Sequence, residues 1–150
     1  MAGASSRINA VRELYRRSAN ENTREARGLR LLRDWLSPDQ REQLDNAGYF
    51  EVFGCSSGKR YRIYHVKVAP NVYEIDGAGR IKEGLCFLPV GPLATGDVIL
   101  AQKIALETDE HSAIAVANRF SAAQDLPRWL AREAISGQLR TLRRSARTRF

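Results

Sequence analysis

Several stretches of this 150-residue chain carry residue types whose spacing suits chemistry. Gly54-Cys-Ser-Ser-Gly58-Lys59-Arg60 has the ingredients of a phosphate-binding loop, small residues whose amides can face an anion followed by cations. It departs from a P-loop in its length, with one residue fewer between the glycines. Arg60 also stands where Ser or Thr would ligate magnesium, and a strand pattern follows where a helix N-terminus should meet the anion. The residues therefore predict a hairpin turn whose exposed amides, beside Lys59 and Arg60, can touch a phosphate without hydrolysing a nucleotide.

The run Lys59 to Lys67 alternates, placing Arg60, Arg62 and Tyr64 on one face of a strand and Tyr61, Ile63 and His65 on the other. Arginine beside an aromatic ring suits phosphate contact and base stacking, and it equally suits a half-buried strand with one wet face. Glu107 and His111, four apart with Asp109 and Glu110 nearby, have the spacing of an acid–base or metal pair. Thr108 interrupts the helix between them and no third ligand stands at usable spacing, so a solvated capping cluster is the expectation. Cys55 and His65 lie too far apart along one hairpin to act as nucleophile and base, and Cys86 reads as an inert core thiol.

The strongest chemical signal is charge. Residues 1–30 hold seven Arg against three Glu and residues 128–150 seven Arg against one Glu, so the ends carry +4 and +6 and the middle −3, summing to +7. Cations gathered on two segments suit a polyanion. Residues 138–150 hold five Arg, which would give log K against log salt a slope of about −4 to −5 if each neutralised a phosphate. The candidate contacts there are Arg128, Arg132, Arg140, Arg143, Arg144, Arg147 and Arg149. Trp129 and Leu130 are candidate anchors for a protein partner.

The elements that position these residues follow from periodicity. Residues 1–22 show only a partial helical pattern at Ile8, Val11, Leu14 and Tyr15, a frayed helix or tail. From Asn22, Ala26, Leu29, Leu32 and Leu36 share one helical face. Ser37, Pro38 and Gln40 form a capping-box start for a second helix that Gly48 closes. The period then becomes two. Tyr49–Phe53, Lys59–Lys67, Asn71–Asp76 and Arg80–Leu88 predict four strands whose short turns require an antiparallel meander. Helical spacing returns over 97–107 with Val98, Ala101, Ile104 and Ala105 inward, and Thr108 caps a further helix that carries Ile114 and Ala117 inward. From Ser121 the chain reads as linker and then, from Pro127, as a basic amphipathic stretch with Trp129, Leu130, Ala134 and Ile135 as its apolar side.

A chain of this length buries roughly 68–70% of its unfolded surface, enough for one domain with a real core. That domain spans 23–120, with the tail before it and the basic segment 121–150 after it. Two cysteines cannot form a disulfide framework, so a reducing cytoplasm is expected. No secretory signal or membrane-spanning run is visible. The 20 Arg to 4 Lys suit bidentate phosphate contacts, but a GC-rich coding genome gives the same bias.

The residues Leu36-Ser-Pro-Asp-Gln-Arg41, Gly48-Tyr-Phe-Glu-Val52, Ser57-Gly-Lys-Arg-Tyr-Arg-Ile63, Asn71-Val72, Gly96-Asp97, Leu100 to Glu107 and Ala117-Asn118 carry a resemblance. Over about residues 30–120 the chain resembles a family of short bacterial and phage-borne proteins with no assigned reaction, which implies a shared compact domain. It also resembles the SWIM-type zinc module in having a hairpin before a helix. Only Cys86 falls at a ligand place, so zinc is not implied.

These readings converge on an α+β domain: N-terminal helices, a four-stranded antiparallel meander, then C-terminal helices with basic extensions. The expected function is non-enzymatic and cofactor-free. The chain is read as a nucleic-acid-associated accessory protein that holds phosphate backbone through Arg128 to Arg149, helped by Lys59, Arg60, Arg62 and Tyr64. No helix-turn-helix, zinc finger or RNP signature supports sequence-specific reading of DNA or RNA. The alternative is a protein-interaction or assembly subunit of a phage-related kind, whose tails dock on an acidic protein surface or a neighbouring subunit; a small enzyme built on Glu107 and His111 comes third.

Overall fold

The computed structural model describes residues 22–66 and 70–121, together with Asn9 and Glu13. The described residues form an α+β fold in the order α1 (Arg24–Trp35), α2 (Pro38–Ala47), β1 (Tyr49–Phe53), β2 (Arg60–Tyr64), β3 (Val72–Ile75), β4 (Ile81–Cys86), α3 (Thr95–Thr108), α4 (Glu110–Val116) and β5 (Asn118–Ser121). None of these helices is long and apolar enough to cross a membrane.

The start and stop signals expected for the second helix are the ones observed, and the first has an N-cap of its own. Thr23 caps α1 by accepting the Ala26 N–H. Ser37 and Gln40 exchange both bonds of a capping box, Pro38 sits in the first turn of α2, and Gly48 ends it at φ 75°. The start of α3 has no capping side chain of its own. Glu25, reaching over from α1, accepts the Thr95 N–H in its place.

All strand pairs are antiparallel and the order is β1-β2-β3-β4-β5. The expected four-stranded meander is therefore five-stranded: Asn118–Ser121, which lies between the helix expected to end at Ala117 and the linker expected from Ser121, pairs with β4 from Glu83↔Ser121 to Cys86↔Asn118. Four residues with one aromatic carry no period of their own, so β5 becomes a strand through the free edge of β4. The opposite edge is covered. Gln40 Nε2 donates to the Glu51 carbonyl and Gln43 Oε1 accepts the Glu51 N–H, both at 2.9 Å, so α2 side chains satisfy backbone groups that β1 would otherwise expose.

One face of the sheet, with Phe50, Val52, Tyr61, Ile63, Val72 and Leu85, packs on Leu29, Leu32, Leu36 and Leu44 of the first helical pair and on Ile99, Leu100, Leu106 and Ala113. Helix α3 is rotated from the expected orientation. Ile99, Leu100, Gln102, Lys103 and Leu106 are buried, while Ala101 and Ile104 face outward. Apolar residues ring most of α3, so periodicity left its rotation open. A close crossing sets it instead: a Cβ on Gly96 would overlap the backbone of Gly28 in α1. The other sheet face carries a second cluster of Tyr64 and Tyr73 with Tyr49, Val66 and Ile81.

Candidate functional site

The hairpin turn between β1 and β2 does hold an anion, and that anion belongs to the chain. Glu110, the first residue of α4, places its carboxylate against the turn. Oε2 accepts the N–H groups of Ser56 at 2.9 Å and Ser57 at 2.8 Å, while Oε1 accepts the hydroxyls of Ser57 and of Tyr61, the latter at 2.7 Å. Successive backbone amides aimed at one carboxylate form a nest, which explains the likeness to a phosphate loop. Gly54 is required because a Cβ there would overlap the carboxylate. The same turn is tied to the helical layer by Cys55, whose N–H donates to the Leu106 carbonyl and whose Sγ accepts the Glu110 N–H.

Burial alone would raise the Glu110 pKa, but the hydroxyls of Ser57 and Tyr61 and the two amides outweigh it and hold the carboxyl at about 2. Tyr61 shifts the other way, its phenol pushed above its ordinary range by burial and then by the bond to Glu110. A carboxylate saturated by four donors is a poor proton acceptor, so Glu110 serves as a clasp between hairpin and helix.

Beside the clasp lies a charged cleft of about 230 Å³ that runs into a hollow of about 390 Å³, the two sharing Lys59, Glu74, Glu83 and Arg119. Glu74 is buried in the central strand β3, where Lys59 Nζ and Lys82 Nζ each approach one of its oxygens at 3.2 Å. Burial opposes its ionisation, and the two ammoniums more than compensate, so its pKa falls below the usual range. Glu83 stands directly opposite Glu74 across the ladder, an unfavourable like-charge pair that Arg119 of β5 relieves at 3.7 Å. A β-bulge aims Lys82 at this site: Glu74 pairs with Glu83 and Ile75 with Ile81, leaving Lys82 as the extra residue of β4.

The residues singled out from sequence are divided by this arrangement. Lys59 is in the cleft. Arg60 and Arg62 lie on the other face of the sheet, where both donate to Glu51, at 2.9 and 3.0 Å. Arg62 also sits 4.2 Å above the Tyr49 ring. Tyr64 is 4% exposed, packed between Tyr49 and Tyr73 with centroids at 5.2 and 5.7 Å, and it offers no open face on which a base could stack. Glu107 turns back to Lys103 and leaves His111, which instead lines the cleft next to Glu110. Cys55 and His65 stand at opposite ends of the hairpin, with the His65 N–H on the Gly48 carbonyl. No group of three or more His, Cys, Asp or Glu able to hold a metal occurs among the described residues. Arg128, Trp129, Leu130, Arg132, Arg140, Arg143, Arg144, Arg147 and Arg149 lie outside the described residues.

Sequence reasoning missed Glu74, Lys82, Glu83 and Arg119, and it placed Glu110 in a solvated capping cluster where the structure buries it against the turn. A carboxylate inside the apolar run Asn71 to Asp76 was the one signal available for Glu74. A separate hollow of about 280 Å³ lies between α1, α3 and the 87–93 loop, where Asn71 and Gln102 bond each other reciprocally at 2.8 and 3.0 Å. No family model, curated protein or solved structure matches this chain.

Proposed function

We propose that this chain is a non-enzymatic, nucleic-acid-associated protein that holds phosphate backbone through arginines in the segments flanking its folded body. One observation carries the reading. Residues 22–66 and 70–121 hold 12 Lys and Arg against 13 Asp and Glu, a net −1; Lys67 adds +1 and the flanking segments 1–21 and 122–150 carry +7, the chain's whole net charge. The body uses its cations on its own carboxylates, as in Arg33–Asp45, Arg60 and Arg62 with Glu51, Arg80–Asp76 and Lys103–Glu107. The surplus positive field therefore belongs to the flanking segments, and a polyanion is the partner such a distribution attracts.

Filter binding of the full chain to short DNA and RNA across a salt series tests this. A full-length variant with Arg140, Arg143, Arg144, Arg147 and Arg149 changed to Gln should lose most of a salt slope of about −4 to −5. Equal affinities and slopes for the two chains would defeat the reading.

The outward face of α1 favours a second reading as a protein-interaction subunit. Leu31 and Trp35 are 46% and 59% exposed there, beside Arg27, and exposed Trp with Arg is the composition of an interface anchor. Capture of a protein partner that Trp35→Ala abolishes, with nucleic-acid binding absent, would favour it over the first.

A further inference from the structure

We propose that the hollow bounded by Lys59, Lys82 and Arg119 is a subsite for one phosphodiester of a nucleic-acid strand, which extends the binding track from the segment after Ser121 onto the folded body. This rests on the nucleic-acid reading above. The three cations stand around a single hollow of about 390 Å³, and their side chains are 49%, 57% and 55% exposed. Each ammonium gives one contact to Glu74 and keeps further N–H donors for a ligand, and Arg119 makes one long contact to Glu83 from its five donors. Three cations against Glu74 and Glu83 leave a surplus of +1 in the hollow. The third carboxylate of the adjoining cleft, Glu110, is turned into its nest of four donors.

Stability does not account for this arrangement. A buried carboxylate holding two ammoniums is worth little against an apolar replacement of similar size. The bulge that aims Lys82 interrupts the β3–β4 ladder, and Glu83 is placed opposite Glu74 against like-charge repulsion. Local rules broken together at one solvent-facing hollow mark a site selected for something other than folding. A strand phosphate fits better than a free anion because Ser121 lines the hollow, and the chain leaves it directly into residues 122–150 with seven Arg against one Asp and one Glu.

The test uses the full chain and a full-length Lys82→Gln/Arg119→Gln variant, in which Lys59 still compensates Glu74. Binding to a short single-stranded oligonucleotide should weaken about three- to tenfold, and the slope of log K against log salt should fall by about 1.4, two contacts at roughly 0.7 each. If the parent chain binds and the variant matches it in both affinity and slope, the subsite is wrong and the flanking-segment reading stands. If the parent shows no salt-dependent binding, both fall. Should the variant fail to melt cooperatively, acetylation of the parent decides: protection of Lys59 and Lys82 by the oligonucleotide supports the subsite, and unchanged labelling overturns it. Protection by inorganic phosphate at matched ionic strength, without protection by the oligonucleotide, also overturns the assignment to a strand.

Discussion

Removing the charge of Glu110 while keeping its shape isolates what the clasp contributes. In Glu110→Gln the amide oxygen can still accept the Ser56 and Ser57 N–H groups, but the amide N–H group must donate to the Ser57 and Tyr61 hydroxyls, which now donate to the carboxylate and would have to turn their own hydrogens elsewhere. Urea unfolding at neutral pH should show a loss of about 1–3 kcal/mol, the difference between charge-assisted and neutral hydrogen bonds at a buried site. The pH dependence has a definite sign. The folded carboxyl titrates at about 2 and the unfolded one near 4.5, so its stabilisation is complete above the unfolded value and is lost as pH falls from about 5 toward 2. That shift corresponds to about 3 kcal/mol, and Glu110→Gln should flatten the parent's stability curve across this window. Gly54→Ala evicts the same carboxylate by overlap. Its loss should therefore be strongly non-additive with that of Glu110→Gln, the double variant falling well short of the sum.

Between elements, the contacts that set geometry involve small or polar residues. Helices α1 and α3 cross where Gly96 meets the backbone of Gly28, and a methyl group at Gly96 has only backbone to displace. Gly96→Ala should cost about 1–3 kcal/mol in chemical denaturation despite its better helix propensity, because the helices must separate. The covered edge of β1 makes a different prediction. Gln40→Ala/Gln43→Ala uncovers the Glu51 amide and carbonyl, which should cost about 1 kcal/mol per bond and leave an edge able to pair with another copy. Sedimentation velocity should then show concentration-dependent association absent from the parent. The capping box of α2, helix-ending Gly48 and the alternating strands were legible in sequence, since each depends on neighbours within a few residues. The rotation of α3 and the existence of β5 were not, because a glycine crossing and a free sheet edge are supplied by residues far away in the chain.

Across the whole molecule, charge is partitioned: residues 22–66 and 70–121 at net −1, Lys67 at +1, and flanking segments at +7. Folding and polyanion binding should accordingly respond to different substitutions. Neutralising Arg140, Arg143, Arg144, Arg147 and Arg149 in the full chain should leave the melting temperature within about 2 °C of the parent's, since surface changes away from packed groups stay near ±0.5 kcal/mol, while the salt slope collapses. Glu110→Gln in the full chain should do the reverse, lowering the melting temperature while retaining the salt slope. A scan by fluorescence thermal melting alongside filter binding separates the two.

The amino-acid sequence alone determined the start and end of α2, the first four strands and their antiparallel order, and the uneven distribution of arginine, because propensity, period and charge are local quantities that survive in one dimension; the expected cap Thr108 gives way to Asp109, which accepts the Ser112 N–H. Only the tertiary structure decided where the charges go. It set Arg60 and Arg62 on Glu51 behind the sheet, buried Tyr64, and joined Lys59 to Lys82 and Arg119 across strands. It also closed the turn at Gly54 on the carboxylate of Glu110. An ion pair or a nest is fixed by separation in space, and its members, from 8 to 54 positions apart, meet only when the sheet and helices have formed and packed.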